Sequence, residues 1–202
     1  MMVEIKADLV KKLREKSGVG MMECKKALSE ACGDMNKAEL ILRERGLAAA
    51  SKKSNRTTNQ GLIESYIHPG SKIGVLLEIN SETDFVARNE QFKDLVHNIA
   101  LHIAAAAPTY VSIEDVPAEI LEFEKEIYKK QAQNEGKPEP VLEKIAEGRI
   151  KKFYQENCLL EQLYVKDNDI TINDLVKQSI AKIGENIVVR RFCRFVLGEE
   201  IK

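Results

Sequence analysis

The sequence predicts an α+β protein, with an N-terminal bundle of three helices followed by a core in which a three-stranded antiparallel sheet packs against helices. Three observations predict it. Residues 3–46 carry apolar side chains at three- and four-residue spacing, broken by short connections. Three later segments, GLIESYIH, SKIGVLLEIN and ENIVVRRFCRFVLGEE, place β-branched residues at alternate positions. Long stretches of helical periodicity separate the second of these from the third.

In the first helix Ile5, Leu9 and Leu13 recur every four residues and Val10 widens the stripe. The run SGVG (17–20) ends it, because two glycines supply the backbone freedom of a tight connection. A second helix spans about Met21 to Ala31 with Cys24, Ala27, Leu28 and Ala31 inward. Asp34 caps a third, which carries Ala38, Ile41 and Leu42 and is expected to stop at Gly46. The chain is therefore divided into a helical domain at 1–47, a linker at 48–60 that starts helical and turns polar, and a core at 61–202. In the core, Ile63 and Ile67 are expected on one face of the first strand, and Ile73, Val75, Leu77 and Ile79 on one face of the second. HPGSK turns between them on the strength of Pro69-Gly70. A helix to about Ala107 puts Phe92, Leu95, Val96, Ile99 and Ile103 on one face, and Pro108 ends it. Helices at about 118–134 and 139–156 flank NEGKPEP, and another covers 171–183. In the third strand Ile187, Val189, Cys193, Phe195 and Leu197 share one side, which Arg191 interrupts, so Arg191 is expected at the rim or paired. The free face of the sheet meets solvent or a second copy.

Composition removes several classes of function. With 44% apolar and 31% charged residues the chain can bury a core, and no apolar run approaches the roughly 20 residues that span a bilayer. The start lacks the apolar stretch of a secretory leader, so the cytoplasm is the expected compartment and no membrane partner is expected. Cys24, Cys32, Cys158 and Cys193 form no CxxC pair, which favours buried or inert thiols over zinc or disulfides. There is no glycine-rich phosphate loop, so no nucleotide cofactor is expected. His97 and His102 lie five apart, on different faces of their helix, and no histidine is placed beside a nucleophile. Glu78, Glu82 and Asp84 crowd a strand end where a divalent ion could bind, although carboxylates at such junctions are usually solvated or act as caps.

Charge is unevenly distributed. Residues 1–60 hold 13 Lys/Arg against 8 Asp/Glu, and the remainder 18 against 24. Lys25-Lys26, Lys52-Lys53, Arg43, Arg45 and Arg56 could meet phosphates, yet the first Tyr or Phe is Tyr66, so the stacking half of a single-strand site is missing. No direct nucleic-acid partner is expected, and a protein-interaction module fits better. One stretch stands out, SETDFVARNEQF (81–92). Phe85 lies seven residues before Phe92, which aligns both with the core stripe if one helix contains them. Thr83 or Asp84 can serve as N-cap, and Ser81 with Asp84 could form a box one turn earlier; with the cap at 83 or 84, Phe85 sits in the first turn and can point past the helix end, as an anchor for a partner. Periodicity favours the core, and capping leaves the second alternative open.

LREKSGVGMMECKKALSEACGD (13–34) and EINSETDFVARNEQF (78–92) resemble the two signature segments of elongation factor Ts, the bacterial and organellar guanine-nucleotide exchange factor for elongation factor Tu. KPEPVLEKIAEGRIKKF, LLEQLYV and IGENIVVRRFCRFVLGE are similar to the later blocks of that family, so the likeness covers nearly the whole chain. The resemblance implies a ubiquitin-associated-like head, a linker and a core sheet, and a factor that is not itself an enzyme. It implies that Phe85 and Asp84 act at the magnesium and phosphate site of elongation factor Tu, Phe85 as a wedge and Asp84 by rearranging polar contacts. It implies that Met21, Met22 and Lys25 of the head dock on the same domain, with Lys53 a further contact. The chain is too short for the duplicated core of long members and resembles the short form, which implies a homodimer through the core sheet with Cys193 near its twin.

Overall fold

The computed structural model describes residues 5–200. Residues 3 and 4, where the first helix was expected to begin, lie outside them. The helices are α1 (Ala7–Ser17), α2 (Met21–Glu30), α3 (Met35–Ser51), α4 (Asp84–Ala87), α5 (Glu90–Ala106), α6 (Ala118–Asn134), α7 (Glu139–Asn157) and α8 (Ile172–Ile183). The strands are β1 (Gln60–Ile67), β2 (Ile73–Ser81), β3 (Leu163–Tyr164), β4 (Asp167–Thr171) and β5 (Ile187–Val196). The chain groups into two compact units. One comprises residues up to Leu62 with Ile79–Leu95 and Asp174–Val188, and the other Ile63–Glu78, Val96–Asn173 and Val189 onward.

In the first unit the three-helix bundle closes around Val10, Leu13, Cys24, Ala27, Leu28, Ala31, Ala38 and Leu42, with Ile5, Leu9 and Ile41 packed against them. These are the side chains that helical spacing selects. Asp34 caps α3, its carboxylate accepting the N–H groups of Asn36 and Lys37 at 2.9 and 3.1 Å. Gly46 does not stop α3, which runs on to Ser51. A Cβ at Gly46 would lie 3.1 Å from the Ala181 Cβ, so the glycine serves close packing of α3 on α8 rather than termination. Gly61 has φ +143 and an added Cβ would sit 2.2 Å from the Ile79 carbonyl oxygen, which no side chain at position 61 can accommodate without moving backbone.

The second unit holds most of a sheet of order β1-β2-β5. β1 and β2 are joined by the expected turn, with the His68 N–H on the Ile73 carbonyl at 2.9 Å. Leu197 N–H reaches the Lys72 carbonyl at 2.8 Å and Arg191 Nε reaches Glu78 at 2.7 Å, so β5 runs antiparallel to β2. Arg191 is thus both on an edge strand and paired. Val75 and Leu77 are buried on the face that α5 covers, where Arg194 Nη2 donates to the Ala104 carbonyl at 3.3 Å and the rings of Tyr66 and His97 meet edge-on. Ile63 and Ile67 do not join them. They are 64% and 62% exposed, because β1 pairs with β2 in the register that turns Leu62, Glu64 and Tyr66 inward. They share the outer face with Leu76, Cys193, Phe195 and Leu197, all exposed. Cys32 is exposed too, Cys24 and Cys158 are buried, and all four thiols are free.

α6 and α7 form a hairpin in which Ala132 and Ala146 are fully buried, small enough to bring the helices together. Lys129 bridges to Glu143 at 2.7 Å and Arg149 to Glu135 at 2.9 Å across it. The short antiparallel pair β3–β4 was not anticipated. His102, fully buried on α5, fastens it. The Val165 N–H donates to His102 Nδ1 at 3.3 Å, so the ring proton sits on Nε2, which donates to Gln162 Oε1 at 2.9 Å.

Candidate functional site

All six residues singled out in the sequence, Met21, Met22, Lys25, Lys53, Asp84 and Phe85, fall within the first compact unit. In the head, Gly18 closes α1 in the left-handed conformation (φ 69) and α2 begins immediately after Gly20. Met21 and Met22 therefore occupy the first turn, where the helix has no preceding turn to cover them, and they are 51% and 67% exposed. Lys25 is exposed one turn further along, and Lys53 lies half-buried just beyond α3.

The signature around Phe85 is not the start of one long helix. α4 is a single turn of four residues, and Arg88-Asn89 separates it from α5, which Asn89 caps through the Gln91 N–H at 2.8 Å. Helical phase is lost across that break, so the alignment of Phe85 with Phe92 fails. Phe92 is fully buried and Phe85 is 81% exposed. The only side chain α4 buries is Val86. Asp84 is half-exposed and pairs with Arg88 one turn later at 3.0 Å.

Thr83 is the N-cap residue, but neither it nor Ser81 makes the cap or box bond that the sequence suggests. The buried Ser81 hydroxyl donates instead to the Thr83 carbonyl at 2.9 Å. The Thr83 N–H and hydroxyl are taken by the two oxygens of Glu185, at 3.0 and 2.7 Å. Glu82 accepts the Asn186 N–H at 2.6 Å and faces Arg56 at 3.3 Å. The Asn186 side-chain amide donates to the carbonyls of Ser54 and Arg56, at 3.2 and 2.9 Å. Sequence reasoning missed this support, since Glu185 and Thr83 are 102 residues apart and no local pattern links them.

The carboxylates that crowd the strand end have separate partners: Glu82 with Arg56, Asp84 with Arg88, and Glu78 with Arg191. Among the described residues no group of three or more His, Cys, Asp or Glu could hold a metal ion. Several basic residues of the first unit are answered in the same way. Arg45 bridges to Glu30, Lys26 to Glu23 at 2.8 Å, and Arg43 to Asp174 at 3.7 Å. Those cations make intramolecular bridges rather than a continuous positive stripe. Among the described residues no helix is long and apolar enough to cross a membrane.

The site is thus a set of exposed apolar tips with flanking charge, suited to a protein partner. The family model for "Elongation factor TS" matches residues 49–199. The chain is 60% identical to elongation factor Ts of Coprothermobacter proteolyticus over 98% of this chain and 100% of that protein. The elongation factor Ts of Alkaliphilus oremlandii is also 60% identical, over 99% of this chain and 92% of its own length. That of Fervidobacterium nodosum is 57% identical over 98% and 100%. The chain belongs to the elongation factor Ts family. Elongation factor Ts is a guanine-nucleotide exchange factor of translation elongation, not a catalytic enzyme. The matched region of the family model includes Lys53, Asp84 and Phe85, while Met21, Met22 and Lys25 precede it and fall within the full-length similarity.

Proposed function

We propose that this chain releases GDP from elongation factor Tu by entering its nucleotide-binding domain with Phe85. The observation that carries this proposal is an aromatic ring 81% exposed on a one-turn helix whose base is fastened by hydrogen bonds. An aromatic side chain held out on a fastened turn is the kind of residue that anchors a protein interface. Asp84, beside it, exchanges its Arg88 pairing for polar contacts near the magnesium and phosphate site. Met21, Met22 and Lys25 dock the head on the same domain, and Lys53 adds a contact after the head. The factor needs no reactive group. It binds the nucleotide-free GTPase more tightly than the nucleotide-bound form, and reciprocity weakens nucleotide binding by the same factor. Disturbing the magnesium ion removes the main neutraliser of the phosphates, so a small displacement has a large effect.

The division into a head at 1–47, a linker at 48–60 and a core at 61–202 belongs to the same proposal, the head supplying docking and the core the wedge. So does a homodimer through the outer face of the sheet, where Ile63, Ile67, Leu76, Phe195 and Leu197 form an apolar surface and Cys193 of each copy joins the interface. The protein works in the cytoplasm with elongation factor Tu as its partner, without binding nucleic acid or membrane directly. Fluorescent GDP bound to elongation factor Tu tests the function. Catalytic amounts of the chain should speed its release, and an unchanged release rate would refute the proposal.

A further inference from the structure

We propose that Glu185 and Asn186 are positioning residues for nucleotide exchange: they set the direction in which α4 presents Phe85 and tie it to the segment leaving the head. This rests on Phe85 being the residue that enters the partner.

A helix of only one turn is weakly held by its own backbone, because nucleating a turn fixes several dihedrals for few internal hydrogen bonds. Burial of Val86 anchors one side of α4. Glu185 holds the residue that opens α4. Its Oε2 accepts the Thr83 N–H at 3.0 Å and its Oε1 accepts the Thr83 hydroxyl at 2.7 Å. A two-point grip fixes both the place and the roll of residue 83, and hence the line along which the side chain two residues later leaves the backbone. Ser81, fully buried, holds the Thr83 carbonyl from the other side at 2.9 Å.

Asn186 continues the device in the adjacent residue. It is 2% exposed, and its N–H is held by Glu82 at 2.6 Å. Both hydrogens of its side-chain amide are committed, to the Ser54 and Arg56 carbonyls. Arg56 returns to Glu82 through Nη1 at 3.3 Å, which closes the circuit. Residues 54–56 lie within five residues of the end of α3, so one dipeptide joins the strand end before Phe85 to the chain emerging from the helical bundle.

A merely structural role would lower stability and reduce exchange only through the folded fraction. A positioning role lowers the maximal rate of GDP release in the folded protein while leaving half-saturation nearly unchanged, since Met21, Met22 and Lys25 are untouched. Glu185→Gln keeps the shape but offers one acceptor for two donors, and Thr83→Val removes one of those donors. Each should lower the maximal rate about tenfold, because small misplacement of a reacting group is costly. Their combination should cost little more than either alone, since both break one contact. Thr83→Ser, which retains both donors, should behave as wild type. Melting followed by circular dichroism corrects each rate for the folded fraction, and Thr83→Val decides the matter if Glu185→Gln does not fold. Wild-type maximal rates in the variants, losses that follow only the folded fraction, or fully additive losses would overturn the proposal. Phe85→Ala in the same assay separates the two claims. If it keeps the wild-type rate the wedge itself is wrong, whereas if it is slow and Glu185→Gln and Thr83→Val are not, only the positioning role falls.

Discussion

Phe85 is outside because Val86 is inside: a single helical turn has room for one buried side chain, and the neighbouring residue takes it. Replacing an 81% exposed ring therefore changes little in the fold. Phe85→Ala should shift unfolding free energy by no more than about 0.5 kcal/mol, as read from denaturant titration. Asp84→Ala removes an exposed pair with Arg88 one turn away, which contributes only about 0.3–0.5 kcal/mol. Both variants should nevertheless weaken exchange strongly, since an aromatic anchor at the centre of an interface is typically worth about 2 kcal/mol or more. A variant that lost stability and exchange in parallel would mean that the residue serves the fold. At this scale the sequence was only partly legible. The spacing of Phe85 and Phe92 pointed both to the core, and the error lies in Arg88-Asn89, where a second helix starts with its own cap and resets the phase. Capping logic pointed towards the first turn, although Glu185 rather than a local side chain holds that turn.

Between elements, the clearest pH-sensitive joint is His102, which links α5 to the β3–β4 pair through Gln162 and the Val165 N–H. Burial holds its imidazole below the ordinary histidine range, with the Gln162 hydrogen bond opposing the shift. The unfolded chain takes up the proton first as pH falls. The stability that neutral His102 contributes is therefore complete above its unfolded pKa of about 6.5 and is lost as pH drops below that towards the folded value. His102→Leu leaves the Gln162 oxygen and the Val165 N–H unpaired, so it should lower stability by about 1–3 kcal/mol at pH 7.5. The deficit should shrink towards pH 5, where the wild type loses its own advantage, and a constant deficit across that range would contradict this account. The longer helices were legible because each carries a stripe long enough to repeat, and Asp34 announces its cap. Gly46 was misleading because a glycine required for close packing on Ala181 looks the same in sequence as one that ends a helix. The β3–β4 pair was missed because DNDIT is too short and polar to alternate visibly, and its attachment to His102 is long-range. Ile63 and Ile67 show that alternation identifies a strand but not which of its faces is covered.

For the whole molecule, the surplus of positive charge in residues 1–60 becomes less conspicuous once Arg43, Arg45, Arg56 and Lys26 are seen facing carboxylates. What distinguishes the surface is apolar: Met21, Met22 and Phe85 in one unit, and the outer sheet face in the other. If two copies pair through that sheet face, light scattering at micromolar concentration should give twice the 22.8 kDa chain mass, and Phe195→Asp should return the single-chain value. A single-chain mass for the wild type would leave that face without the partner proposed for it. The central claim is narrower, that Phe85 forces nucleotide out of elongation factor Tu. Stopped-flow release of fluorescent GDP from elongation factor Tu, with saturating wild-type chain and with saturating Phe85→Ala, tests it most directly. Release should be rapid with the wild type and slower by about 30-fold or more with the folded variant. Equal rates from the two proteins would contradict it.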